Sequence, residues 1–301
     1  MIKTVIDESR MYAIMDKDIK NNFEDVTDII RVQNEFLNNS CKKLIFQFTE
    51  CTDINAAVSV MIGTLPVYSP IYNKSVKYQF VEQATHPVFK FMKSVGMYKY
   101  FMKNEIDYTG TDVIPFDRIV DEKQMDEYAD RIMTLAPIHM QKEAQDILSS
   151  YIYEIYQNGL YHSNSPIGVF TSGQWIPEKK EFIFSIYDMG VGIPEKIREH
   201  FKMPLLSSSK CVEIAFVEGF TTFPEKINRG LGLIRLQNFI LLNNGNMTMY
   251  TDDVCCTIQG KKRRTYKRLD VPIKGTLIIV NIRADEDHVY IIDKEKKNDN
   301  N

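Results

Sequence analysis

At 301 residues, with 44% hydrophobic and 26% charged positions, the chain has the makeup of an ordinary globular protein and room for two domains with their own cores. A formal net charge of −3 argues against a surface built throughout for nucleic acid. No apolar run reaches the ~18 residues of a membrane span, and the N-terminal MIKTVIDESRMYAIMDKD lacks the apolar core of a secretory signal. The five cysteines, Cys41, Cys51, Cys211, Cys255 and Cys256, form neither a C-x-x-C pair nor a zinc-ligand pattern, which points to a reducing cytoplasm.

Apolar residues at helical spacing predict a helix over 25–38, stopped at Asn39-Ser40. KKLIFQF (42–48) reads as a buried strand and INAAVSVMIGTL (54–65) as a helix ended by Pro66. SVKYQFVE (75–82) is a second strand, and 86–101 a helix broken near Gly96. Strand, helix, strand and helix in that order imply a parallel pair with helices packed on it. Residues 103–122 are polar, with Gly110 and Pro115, and read as a linker; an amphipathic segment follows at 121–135, ending before Pro137.

A long helix is predicted from about Gln141 into YIYEIYQNGLYHS (151–163). At ~100° per residue, Ala144, Ile147, Leu148, Tyr151 and Ile155 share an inner face. Glu154, Asn158 and His162 fall on that same face, while Lys142, Asp146, Ser149 and Gln157 take the solvent side. A carboxylate, an amide and an imidazole on an apolar stripe need partners inside the fold: a rim position, a hydrogen-bonded cluster or a ligand. His139, ahead of this helix, reads as structural.

Residues 168–188 read as a hairpin whose second strand ends at Asp188, followed by Met189-Gly190-Val191-Gly192-Ile193-Pro194. Two glycines one residue apart let a backbone pass close to a flat ligand, and Glu195 rules out the dinucleotide fingerprint. Asn228-Arg229-Gly230-Leu231-Gly232-Leu233 opens an apolar helix over 231–244. Backbone N–H groups at such a helix start suit a phosphate. The connection between the two glycine stretches, rich in Ser, Lys and Gly, is long enough to predict a mobile flap aided by Lys210, Lys226 and Arg229. GKKRRTYKR (260–268) reads as a basic hairpin tip between strands 246–259 and 276–282, and is the one feature that suggests a nucleic acid or another anionic partner.

Taken in order, these pieces resemble the GHKL superfamily of ATPases and kinases, which includes DNA gyrase, mismatch-repair ATPases, sensor histidine kinases and anti-sigma-factor kinases. Glu154-x-x-x-Asn158 with His162-Ser163 matches its first box, Asp188-Met-Gly-Val-Gly the second, Gly230-Leu-Gly-Leu the third and Gly275-Thr276 the last. The resemblance implies an α/β sandwich, helices on one face of a mixed sheet, with ATP and Mg²⁺ under a lid. It assigns Asn158 to the metal and Asp188 to the adenine amine, with Thr276 nearby through water and Gly190 and Gly192 making room for the base. Gly230, Leu231, Gly232 and Leu233 would cradle the phosphates. Glu154 stands where hydrolysing members keep the general base.

The turn F-x-x-C-T-D-I and the ending K-S-V-G-M-Y-K-Y-F make residues 40–101 similar to STAS-type modules. The turn lacks the serine of the phosphorylated members, so a docking role is implied. The expected division is a STAS-like regulatory or docking domain (1–102), a linker and connecting helix (103–137), a GHKL-type domain (138–293) and a disordered tail (294–301). The expected activity is ATP hydrolysis that switches the lid and contacts to a protein partner in the cytoplasm. An anti-sigma-type Ser/Thr kinase and a non-catalytic ATP sensor are the alternatives, and homodimerisation is left open.

Overall fold

A computed structural model of the chain describes residues 2–100, 113–135, 141–220, 232–260, 262–283 and 290–291. The first sheet contains β1 (Lys3–Asp7), β2 (Arg10–Met15), β3 (Lys43–Phe48) and β4 (Ser75–Phe80) in that order. β1 and β2 form an antiparallel hairpin, and β2, β3 and β4 run parallel. The sequence reading had no strands before residue 42, although Met11, Ala13 and Met15 alternate as buried positions along β2. Helices α1 (Phe23–Asn38) and α2 (Ala56–Tyr68) return the chain between parallel strands, and α3 (Pro87–Ser94) follows β4.

Pro66 lies inside α2 rather than ending it. A proline removes the N–H that would bond to the carbonyl four residues back. Here that carbonyl belongs to Ile62, and Tyr78 Oη of β4 donates to it at 3.0 Å. The vacancy is filled from the neighbouring strand, so the helix continues.

The second sheet is built from β5 (Val113–Ile119), β6 (Val169–Ile176), β7 (Glu181–Asp188), β8 (Asn246–Gln259) and β9 (Lys262–Arg283), in the order β5-β6-β7-β9-β8. Every neighbouring pair is antiparallel, so the expectation of a mixed sheet is corrected for these described strands. Where the sequence read a linker and a connecting helix, the structure places edge strand β5 and helix α4 (Glu122–Leu135). Pro115 sits in β5 at an edge, where a missing N–H is tolerated.

Alternation along the strands gives the second sheet two buried faces. Phe182, Phe184, Ile186, Ile278, Val280 and Ile282 pack with residues of α4, α5 (Lys142–Gln157) and α8 (Gly232–Leu242). Phe170, Ile183, Tyr187 and Ile279 face the other way, into a cluster shared with α1, α2 and the inner face of the first sheet. Helices therefore cover both faces rather than one, and α1 and α2 serve two sheets at once. This explains why α2 is buried all round, as a uniformly apolar helix should be. Each fully buried Val, Leu, Ile or Met contributes about 1.5–3 kcal/mol, so this shared layer is a principal source of stability. Among the described residues, no helix is long and apolar enough to cross a membrane. All five cysteines are free and buried.

Candidate functional site

A cavity of about 490 Å³ opens between the helical face of the second sheet and helices α5, α6 (Ile193–Phe201) and α8. Its lining includes Glu154, Asn158, His162, Asp188, Gly192, Gly232, Leu233 and Thr276. Residues spread over more than a hundred positions of sequence are thus brought to one place. Gly230 and Leu231 lie outside the described residues, as do Lys226, Arg229, His139 and the tail.

The α5 side of the site follows from where its buried stripe runs. Ala144, Leu148, Ile152, Ile155 and Tyr156 are the buried positions, a stripe rotated slightly from the one read in the sequence. Glu154 and Asn158 consequently stand at its rim, and the Glu154 side chain keeps 27% exposure. Gln157, expected on the solvent side, lines the cavity together with Ser150 and Tyr153. The helix then widens into a π-turn over Asn158–His162, a distortion common at functional sites. Ser163 closes this turn by donating from Oγ to the Gly159 carbonyl.

The sheet side is set by register. Asp188 pairs with Thr276 and Ile186 with Ile278, placing two polar and two apolar side chains on one patch of wall. Ile193 and Ile197 of α6 add to the apolar surface. Thr276 Oγ1 lies 3.1 Å from Thr251 Oγ1, which accepts from Ile193 N at 3.2 Å, so the start of α6 is tied to the same edge.

Asp188 is 5% exposed. Burial pushes its carboxyl up to about 7, against donation from the Gly190 and Thr276 backbone amides. The Ser163 hydroxyl also favours its ionised form, but has one proton to share between this carboxylate and the Gly159 carbonyl. A carboxyl poised near neutrality in a cavity is a recognised mark of a functional position.

Gly190 is fixed by a close backbone contact. Val191 N donates to the Ser163 carbonyl at 2.7 Å, and a methyl group on Gly190 would collide with that same carbonyl oxygen. Gly190 therefore joins the turn after α5 to the turn after β7, while Gly192, at φ +82°, is the glycine that reaches the cavity. On the third side, a Cβ at Gly232 would lie 2.6 Å from Glu154 Cβ, so a glycine there lets α8 begin against that side chain.

Sequence reasoning missed Arg235, Lys196 and Phe220. Arg235 Nη1 of α8 stands 3.9 Å from Glu154 Oε1. Lys196 of α6 lines the cavity and pairs with Glu199 at 3.2 Å. The i, i+3 position of Arg235 after Gly232 offered a signal for the first of these, and the helical spacing of Lys196 from Gly192 for the second.

The described part of the connection between the two glycine stretches, up to Phe220, is largely helical. Besides α6 it contains α7 (Ser208–Ala215), which Ser207 caps by accepting from Lys210 N. Arg198 ties the two helices, bonding the Leu206 carbonyl at 2.8 Å, Ser208 Oγ at 3.0 Å and Asp252 at 2.9 Å. The serines read as flexible are capping and bridging groups, and Lys210 pairs with Glu213 at 2.8 Å instead of lining the cavity. Phe220, beyond α7, closes one wall of the site. The basic segment is also engaged: Arg264 donates to Gln237 at 2.7 Å and stacks 4.4 Å from the Phe216 ring centroid, while Lys267 lies over Phe23.

Scans against protein-family models and against curated proteins give no match to this chain.

Proposed function

We propose that this cavity binds Mg-ATP and hydrolyses it, in the manner of the GHKL proteins that its sequence boxes resemble. The observation that carries the reading is the meeting of residues from each of the four boxes, Glu154 and Asn158, Asp188 and Gly192, Gly232 and Leu233, and Thr276, around one cavity of about 490 Å³, a size suited to a nucleotide. An apolar wall of isoleucines with one buried carboxylate suits a flat heterocycle bearing an amine, which Asp188 would accept from. The N-terminus of α8 at Gly232 offers amides to a phosphate.

The donor chemistry fits a hard cation: Asn158 and Glu154, one helical turn apart on the cavity lining, carry oxygen ligands of the kind Mg²⁺ takes. Mg²⁺ bound there would neutralise charge on the phosphates. Glu154 then accepts a proton from water as its oxygen attacks the γ-phosphorus; the bond to the bridging oxygen breaks, releasing ADP and phosphate. Arg235 and Gly232 hold that carboxylate in place. The parallel β2–β3–β4 unit with helices on one face supports the STAS-like reading of the N-terminal module and a docking role for it.

The test is phosphate release from Mg-ATP by the wild-type chain and by Glu154→Gln. Release should fall by about 100-fold or more in the variant, with affinity retained. Retained turnover would remove Glu154 from the chemistry, and phosphate transferred to a partner protein would make the enzyme a kinase.

A further inference from the structure

The pocket edge that carries Asp188 and Thr276 depends on an irregularity in β9. Thr251 of β8 pairs with Thr276, but Asp252 pairs with Ile273, so Lys274 and Gly275 are extra residues on β9. Gly275 has φ +79°, and a side chain there would strike the Asp188 carbonyl oxygen. Thr251 Oγ1 holds the Gly275 carbonyl at 3.3 Å from the cavity side of the sheet.

The back of this bulge is held by another part of the chain. Asn34 Nδ2 of α1 donates to the Pro272 carbonyl at 2.7 Å, just before the extra residues. Tyr187 Oη has one proton to share between the Lys274 carbonyl at 3.1 Å and Gln33 Oε1 at 3.3 Å. Gln33, itself 2% exposed, is fixed in turn by donating Nε2 to the Met61 carbonyl of α2 at 2.9 Å. Tyr187 is the residue before Asp188, and strand alternation sends its side chain to the back while Asp188 faces the cavity. Two consecutive residues of α1 therefore hold the bulge, Asn34 directly at the run that leads into it and Gln33 through Tyr187 at its first extra residue.

We propose that α1 of the N-terminal module is a positioning element of the nucleotide pocket: Gln33, Asn34 and Tyr187 clamp the β9 bulge and so set the Asp188–Thr276 edge that receives the base. The proposal takes its ligand from the nucleotide reading above. A nucleotide closing on this edge stabilises the clamp, and by linkage the module that supplies it, so the N-terminal module senses occupancy of a cavity it does not line.

The test uses the full chain and three variants. Gln33→Leu and Tyr187→Phe break the clamp; Asn22→Ala removes the α1 N-cap, where Asn22 Oδ1 accepts from Asp25 N at 2.8 Å, and controls for simple loss of α1 stability. Amide hydrogen exchange at 274–278 in the ligand-free protein should quicken about tenfold in the first two and stay near wild type in the third, with Mg-ATP affinity falling about tenfold in the same pattern. Unchanged exchange at the bulge, or affinity within twofold of wild type in both clamp variants, overturns the proposal. If the wild type binds no Mg-ATP, the nucleotide reading falls, and exchange at 274–278 alone decides whether the clamp exists.

Discussion

Replacing Asp188 with asparagine should separate stability from binding. The carboxyl is buried, and its pKa rises from the ordinary 3.8 to about 7. Between those values the folded chain holds a proton that the unfolded chain has released, so stability declines as pH rises through this window. Above pH ~7 the full cost of a buried carboxylate stands, with a ceiling of about 4 kcal/mol from the displacement of the pKa. Asparagine is nearly isosteric, keeps one oxygen for the Gly190 amide and cannot ionise. The variant should therefore be more stable than wild type by about 1–3 kcal/mol at pH 8, with the difference vanishing near pH 4. Urea melts at both pH values measure it, and taking the difference between the two proteins cancels other titrating groups. Nucleotide binding should move oppositely, weakening about 100-fold or more because half of the amide faces the base amine with a donor. A variant that is less stable than wild type at pH 8, or equally different at both pH values, would refute the assignment of burial as the cause.

Two other substitutions probe the frame around the site. Gly190→Ala should cost about 2–4 kcal/mol in thermal or denaturant unfolding, because the added methyl collides with the Ser163 carbonyl and neither turn can retreat without losing the Val191 bond. Tyr78→Phe should cost about 1–3 kcal/mol by leaving the Ile62 carbonyl beside Pro66 without its donor; an unchanged midpoint would mean that the proline gap is not filled by this hydroxyl.

Much of this was legible in the sequence because the elements that carry the site have strong local signals. The strand ending at Asp188, the glycines after it and the start of α8 are marked by alternation and by glycine itself. The helical spacing of Glu154, Asn158 and His162 placed them together even though α5 widens to a π-turn at Asn158. What failed depended on distant partners. Pro66 reads as a stop unless Tyr78 is known to lie above Ile62. Residues 113–119 read as a linker because Pro115 and polar neighbours hide a strand whose partner, β6, comes some fifty residues later. The serines at the start of α7 look like loop composition until Arg198 and Asp252 are placed beside Ser208. The uniform apolarity of α2 was visible, but which second sheet it served was not.

The burial of Asp188 in the cavity wall leads to one discriminating measurement: calorimetric titration of the wild-type chain with Mg-ATP and with Mg-GTP. Adenine offers an amine where guanine offers a carbonyl, and a carboxylate at Asp188 accepts the first and repels the second. One ATP should bind per chain, with GTP weaker by about 100-fold or more. Equal affinity for the two nucleotides, or binding of neither, would contradict the reading of this cavity as an adenine-nucleotide site.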